Sequence, residues 1–448
     1  MTDPGPSPDC LAPAELEALA RRGVRMPAPH LVAIGREVPP GAIAPGAELR
    51  PFCRIEGAAT RIDAGAVVGA AGPVTVQESW IGAGAQIGTL GPVTLRAVAA
   101  GPRTVLGCGV AEEAVFLGKE GDDPDFTTGY GFRVRKGSLY EEDASSAQHT
   151  DTKMTILLPW VTLGSNLNWC DVLVAGGTGP GPGQFTEIGS GAIHFNFTPR
   201  GDKATGSALG DVVRGVFLRA PRLFIGGNAS LVGPLSAEYG AVTAAGDRHA
   251  RALAAGLNAP APPADAAPAA FDVDVYGSVA RIVRSQVALV GQLAALDAWY
   301  AHVRAHLARG DAARTELYAR GRAMVQLNLR ERIHHLGLLA RRMEGSAGLL
   351  ERRAPGDPRI AHQRALRAHW PRLEAHLGTW ERHCAPPPAA FLQALEASVA
   401  THGPAYTRVV RALPEPAVAL GQGWLGEIVR AVAAPELLAL VPPPRGSG

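Results

Sequence analysis

Four short stretches of this 448-residue chain carry side chains that can do chemistry. His149–Lys153 (HTDTK) packs an imidazole, a carboxylate and an ammonium into five residues. Such a set can supply a base, an orienting group and an anion clamp. Phe132–Ser138 (FRVRKGS) holds Arg133, Arg135 and Lys136. In an extended run Arg133 and Arg135 project to one side, a fork suited to a phosphate. Asn168–Asp171 (NWCD) and His194–Phe197 (HFNF) set polar groups among aromatics, as small-molecule pockets do. The first two stretches also have a plainer reading, a polar loop capping itself for His149–Lys153 and a solvated strand face for Phe132–Ser138. Gly176–Gly183 (GGTGPGPG) has glycines that could cradle a phosphate. It lacks the strand-then-helix context of such loops and reads as a flexible connection. His302 and His306 stand four apart on a helical pattern, but with no HExxH context they read as a solvated face, and no metal is expected.

Composition points to the same window. Only four of the 43 basic residues are Lys (Lys119, Lys136, Lys153 and Lys203), and Asn166, Asn168 and Asn196 lie among them. Lys kept in a chain otherwise supplied with Arg reads as Lys that Arg cannot replace, because a compact ammonium is not a planar fork. Chance clustering is the alternative.

The elements that position these residues show two periodicities. Ile81, Ile87, Val93, Ala99, Val105, Ala111 and Leu117 recur every sixth residue. Ile43, Leu49 and Ile55, and Ile62, Val68 and Val74, keep that period with a one-residue slip between blocks. It returns at Ile225, Leu231, Ala237 and Thr243. Period six fits neither a lone helix nor a hairpin array. It fits a hexapeptide-repeat β-solenoid, with one short strand and one turn per unit, three units per triangular coil, and each aliphatic stacked on the next coil. The window from 119 to 210 breaks the pattern, and 121–131 and 176–183 read as loops thrown out from the coils, where function concentrates. Residues 254–270 form a Pro/Ala linker. Beyond it, Val279, Ile282, Gln286, Leu289, Leu293, Leu296, Tyr300, Val303 and Leu307 follow 3/4 spacing, an amphipathic helix with one polar interruption. A second helix is expected from about 311 to 343, and further helical segments near 359–383, 388–402 and 415–433. The expected layout is a tail and short helix (1–25), a β-helix (26–250) with inserted loops at 119–210, a linker (251–270), and a helical bundle or arm (271–441).

A net charge of +2 from 43 basic and 41 acidic residues argues against a dedicated nucleic-acid or membrane-surface binder. No apolar run reaches a membrane span. The N-terminus lacks a secretory pattern, so a cytoplasmic location is expected. Five cysteines without a CxxC pair form neither a disulfide framework nor a zinc site.

Residues 12–245 resemble the acetyltransferase half of the bacterial bifunctional N-acetylglucosamine-1-phosphate uridyltransferase / glucosamine-1-phosphate acetyltransferase family. The resemblance rests on LAPAELEALARRGV at the start, Glu187–Phe197 (EIGSGAIHFNF), Lys203, Thr205, Gly210-Asp211 and the run from Ile225 (IGGNASLVGP). It implies a left-handed β-helix, a homotrimer, and acetyl-CoA or another acyl-CoA as cofactor. It implies that Arg135 and Lys153 hold a sugar phosphate, with Arg133 and Lys136 beside them, and that Glu187 and Asn196 border the sugar. Phe197 and Lys203 would border the CoA arm. The family's base, a His, falls on Asp171 here, a family Tyr on Val174, and a family Asn on Glu187. The nucleotidyltransferase half has no counterpart among the residues before the repeats, so uridyl transfer is not expected.

Three functions are therefore consistent with the sequence. One is acyl transfer from acyl-CoA to a phosphorylated or nucleotide-linked amino sugar, with His149, His194 or Asp171 as base. The second is a non-catalytic β-helix that binds a sugar phosphate or nucleotide sugar. The third is a structural trimer whose helical arm recruits a protein partner.

Overall fold

The computed structural model describes residues 9–121, 127–260, 271–277, 279–434 and 438–439. It is a parallel β-solenoid of about 12 turns over residues 33–258, followed by helices from 279 to 433. The helix Pro13–Arg21 buries Leu16 and Leu19 over the first coil, and Arg25 bridges to Glu48. It covers the solenoid's open end, as repeat folds require of their termini.

Each coil contributes inward side chains to columns. Leu49, Val68, Ile87 and Leu106 stack in one column, all fully buried. Ile62, Ile81, Ala100 and Phe116 stack in a second, and Ile55, Val76, Leu95 and Ala111 in a third. Burying each larger aliphatic contributes about 1.5–3 kcal/mol. Successive members of the first two columns up to Leu106 and Ala100 lie 19 residues apart, so the early coil has 19 residues and not the 18 that a strict period of six requires. The extra residue lies in one strand per coil. Cys53–Glu56, Val74–Gln77 and Val93–Arg96 have four residues and turn two side chains inward. The six-count therefore drifts after Val93, and Ala100 and Leu106 are the inward residues where Ala99 and Val105 were expected.

The window from 119 to 210 does not interrupt the solenoid among the described residues. Strands run through it, including Thr128–Val134, Asp151–Lys153, Asn168–Cys170 and Ile193–Phe195. What changes is the inward chemistry. The third column continues as Val134, Thr152 and Trp169, and the second as Tyr140 and Leu157. His194 sits beside Trp169, ring centroids 6.1 Å apart. Polar and aromatic inward residues hide the period from a count of aliphatics. Of the expected loops, 176–183 is one, 128–131 is strand, and 122–126 lies outside the described residues, as does 261–270 of the linker.

One of the three faces is covered by the chain's own helices. In the strands Trp80–Ile81, Ala99–Ala100, Val115–Phe116, Leu139–Tyr140, Ile156–Leu157 and Val172–Val174 every residue is buried, the outward ones included. The covering helices are Val279–Leu307, which widens into a π-turn at Tyr300–Arg304 before its last three residues, and the 42-residue Ala312–Arg353. Gln286, the polar interruption of the first, is fully buried because its amide closes on the backbone of Gly206: Nε2 donates to the Gly206 carbonyl at 2.8 Å and Oε1 accepts from its N–H at 3.3 Å. Val279–Leu307 is the one described helix long and apolar enough to cross a membrane, and 67% of its most apolar window is buried in the molecule. Pro358–Leu377, Ala389–His402, Tyr406–Ala412 and Glu415–Ala433 complete the helical part.

A buried ion cluster joins the two parts. Arg304 donates to Glu141 at 2.7 Å and to Glu142, and its guanidinium lies 3.3 Å over the Tyr406 ring. Tyr300 donates to Glu141 at 2.7 Å. Burial pushes Glu141 up to about 7, against the pull of Arg304. The π-turn brings Tyr300 and Arg304 onto this one carboxylate pair, a placement that local helix irregularities often serve.

Candidate functional site

Two outward rows of side chains lie on the strands Thr128–Val134, Asp151–Lys153 and Asn168–Cys170. Arg133, Asp151 and Asn168 are register partners in one row, and Lys153 and Cys170 in the next. Arg133 and Arg135 both face outward, as period two requires. Arg135 Nε donates to Asp151 at 2.6 Å and its Nη2 lies 3.2 Å from Cys170 Sγ. Burial raises the Cys170 thiol above its ordinary value, opposed by Arg135. Arg133 and Lys153 have no ion-pair partner among the described residues. The row thus presents three cations against Asp151, with strands about 4.8 Å apart. Lys136 stands at the coil corner and pairs with Glu113 at 3.2 Å.

Asp171 is the corner residue next to Cys170. Its left-handed φ of 62° is shared by Glu78, Ala97, Glu113 and Met154 at the same corner of other coils, so it is a property of the corner and not of a strained site. Its carboxylate is 9% exposed and fully engaged. Arg332, from Ala312–Arg353, donates to Oδ1 at 2.5 Å, and Asn196 Nδ2 donates to Oδ2 at 2.9 Å. Thr205 in turn donates to Asn196 Oδ1 at 2.5 Å. Asn328 donates to the Gly137 carbonyl at 2.8 Å and holds the same helix against the corner. The cavity left beside Asp171, between Met154, Leu173, Asn328 and Arg332, is about 10 Å3. That is room for a single water, against the several hundred Å3 of a substrate pocket.

The other expected bases do not join it. His194 points into the solenoid, 4% exposed, with Nε2 2.7 Å from Ser207 Oγ. Burial holds it down to about 4, only partly offset by Asp171, so it is a neutral core residue. His149 is exposed at a turn, edge-on to Tyr130 with centroids 5.7 Å apart, and no contact of its ring reaches Arg135, Lys153 or Asp171. Glu187 faces Arg222 at 3.6 Å. Phe197 is 68% exposed and packs on Phe271 at 6.0 Å. Lys203 is exposed, with no partner among the described residues. The structure therefore unites Arg133, Arg135 and Lys153 in one strip and Asp171 with Asn196 in one corner, and leaves His149, His194, Glu187, Phe197 and Lys203 outside both. His302 and His306, expected on a solvated face, are half-buried: His302 lies edge-on to Trp424, ring centroids 6.0 Å apart, and His306 Nε2 is 3.7 Å from Glu396. No group of three His, Cys, Asp or Glu is placed to hold a metal among the described residues. Arg332 escaped the sequence reading because it lies on the helical part, and its one sequence signal was an Arg on an otherwise apolar stripe between Leu329 and Ile333.

No family model matches the chain, and no curated protein matches it.

Proposed function

We propose that the chain is a non-catalytic sugar-phosphate binder built on a β-helix of the hexapeptide-repeat transferase kind, wound left-handed as the resemblance implies. The observation that carries this reading is the closed corner at Asp171. Acyl transfer needs a base that can reach a substrate amine or hydroxyl. The resemblance places the family's base at Asp171, yet both its oxygens are taken and the space beside it among the described residues is about 10 Å3. His194 is buried, and His149 stands apart from the cationic strip.

The strip of Arg133, Arg135 and Lys153 retains the chemistry for an anion. A planar guanidinium and an ammonium on neighbouring strands suit the oxygens of a phosphate, and Asn168 and Asp151 suit sugar hydroxyls. The helices cover one face of the solenoid, so a trimer of the family's kind would have to use the two remaining faces. Acyl-CoA has no part in this reading.

The test is calorimetric titration with glucosamine 1-phosphate and with UDP-N-acetylglucosamine. Binding to the wild-type chain, weakened at least about tenfold in Arg135→Ala/Lys153→Ala, is expected from the loss of two charge-assisted contacts. Absence of binding by the wild-type chain would contradict the reading and favour a structural role.

A further inference from the structure

We propose that the cleft between the solenoid and the start of the helix Ala312–Arg353 is a second ligand site, built for a small molecule that carries a primary ammonium and, a few bonds away, an anionic group. It does not depend on the outer strip. The cleft holds about 340 Å3, within the range of small-molecule pockets. Leu117, Pro102 and Leu317 give it apolar walls, and Trp80 a flat one. The indole is fixed: its Nε1 donates to Asp63 at 2.7 Å, and Arg61 lies 4.1 Å over the ring.

Glu142 lines this cleft and points to the cationic end of the ligand. Its side chain is 3% exposed. Oε1 accepts from Arg304 and, at 3.2 Å, from Tyr318. Oε2 is buried and accepts nothing. A buried acceptor without a donor is costly, and more so when charged. Arg304 is the one cation that faces both Glu141 and Glu142 among the described residues. Glu120 also lines the cleft, but its oxygens already accept from the N–H groups of Tyr406 and Thr407, so Glu142 Oε2 is the acceptor left open. A divalent cation would need several such ligands converging, and no such group exists among the described residues. A single unfilled carboxylate oxygen suits an ammonium N–H.

The rim has the opposite sign. Arg103, Lys119 and Arg314 stand there, with Asp311 3.8 Å from Arg314. Arg314 is steered by its hydrogen bond to the Pro404 carbonyl at 2.9 Å. A carboxylate at the floor and guanidinium groups at the mouth sort a zwitterion by direction, ammonium inward and anion outward.

Calorimetry on the full chain tests this with three probes: phosphoethanolamine, 4-aminobutyrate, and ethyl phosphate, which lacks the ammonium. At least one of the two zwitterions should bind tenfold or more tighter than ethyl phosphate, and which one does so tells phosphate from carboxylate. Ala313→Trp, on the exposed side of the mouth, should abolish that binding without disturbing Glu142. Glu142→Gln should weaken it at least tenfold. Arg135→Ala/Lys153→Ala silences the phosphate contacts of the outer strip, and in that variant the tighter binding of the zwitterion should persist, which separates this site from the strip. In the same variant, equal binding of ethyl phosphate, zwitterion binding that survives a further Ala313→Trp, or no binding of either zwitterion (the cleft then holding water only) would each overturn the proposal.

Discussion

Arg332 and Asp171, 161 residues apart in sequence, meet at 2.5 Å with both side chains nearly out of water. The pair closes the corner that the family resemblance assigns to a transferase's base. Removing one partner of a buried pair leaves an uncompensated charge and costs about 3–5 kcal/mol. Arg332→Ala should therefore lower unfolding stability by about that much in urea denaturation, and Arg332→Ala/Asp171→Ala should recover part of it. A change under about 0.5 kcal/mol, the level of an ordinary surface substitution, would show that the pair is not formed.

His194 makes stability depend on pH with a definite sign. Folded, it is held down to about 4 by burial; unfolded, it titrates near its ordinary 6.5. The folded chain refuses a proton that the unfolded chain accepts between those values. Its contribution is whole above about pH 6.5 and is lost as pH falls towards 4, to a total of about 3 kcal/mol. Glu141, raised to about 7, runs in the opposite direction over part of that range, so the informative quantity is a difference. Stability measured from pH 7 to 4.5 should fall more steeply for the wild type than for His194→Gln. Parallel curves would mean that His194 is protonated or exposed.

Arg304 tests the union of the two parts. Arg304→Ala leaves Glu141 and Glu142 together in a dry interface, a cost of about 3–5 kcal/mol or more. Hydrogen exchange should show the helices Val279–Leu307 and Tyr406–Ala412 losing protection while the early coils keep theirs. Unchanged protection in those helices would remove the cluster from any role in docking them.

The 19-residue coil makes its own forecast. Leu106 is a fully buried column member, whereas Val105, the position favoured by counting in sixes, is only half-buried. Leu106→Ala should cost about 2–5 kcal/mol and Val105→Ala less than about 1. The reverse order in thermal or urea unfolding would place the coil in the other register.

These cases mark how far the sequence was legible. The solenoid could be read because one aliphatic per strand must face a narrow core, and that constraint survives even a miscounted coil. The helices could be read because 3/4 spacing marks a buried stripe; Gln286 stood out within it only as a polar interruption, and the backbone of Gly206 that it satisfies is seen in the structure alone. The coils from 128 to 209 were hidden because Thr152, Trp169 and His194 take inward positions that elsewhere hold Val, Leu or Ile. The shared side of Arg133 and Arg135 followed from period two, whereas Lys153 beside Arg135 was implied only by the family resemblance. The closure of Asp171 followed from neither, since no local pattern tells which helix residue will cross onto a given corner. His194 and His149 show the limit of residue type as a guide: the same imidazole is a neutral core member in one place and a solvated turn in the other.

On the proposed reading the closed corner carries out no acyl transfer, and a thiol-release assay tests this directly. With acetyl-CoA and glucosamine 1-phosphate at millimolar concentration, the wild-type chain should release CoA thiol no faster than buffer. Release above that background that disappears in Asp171→Asn would show the corner open and catalytic, and would contradict the account.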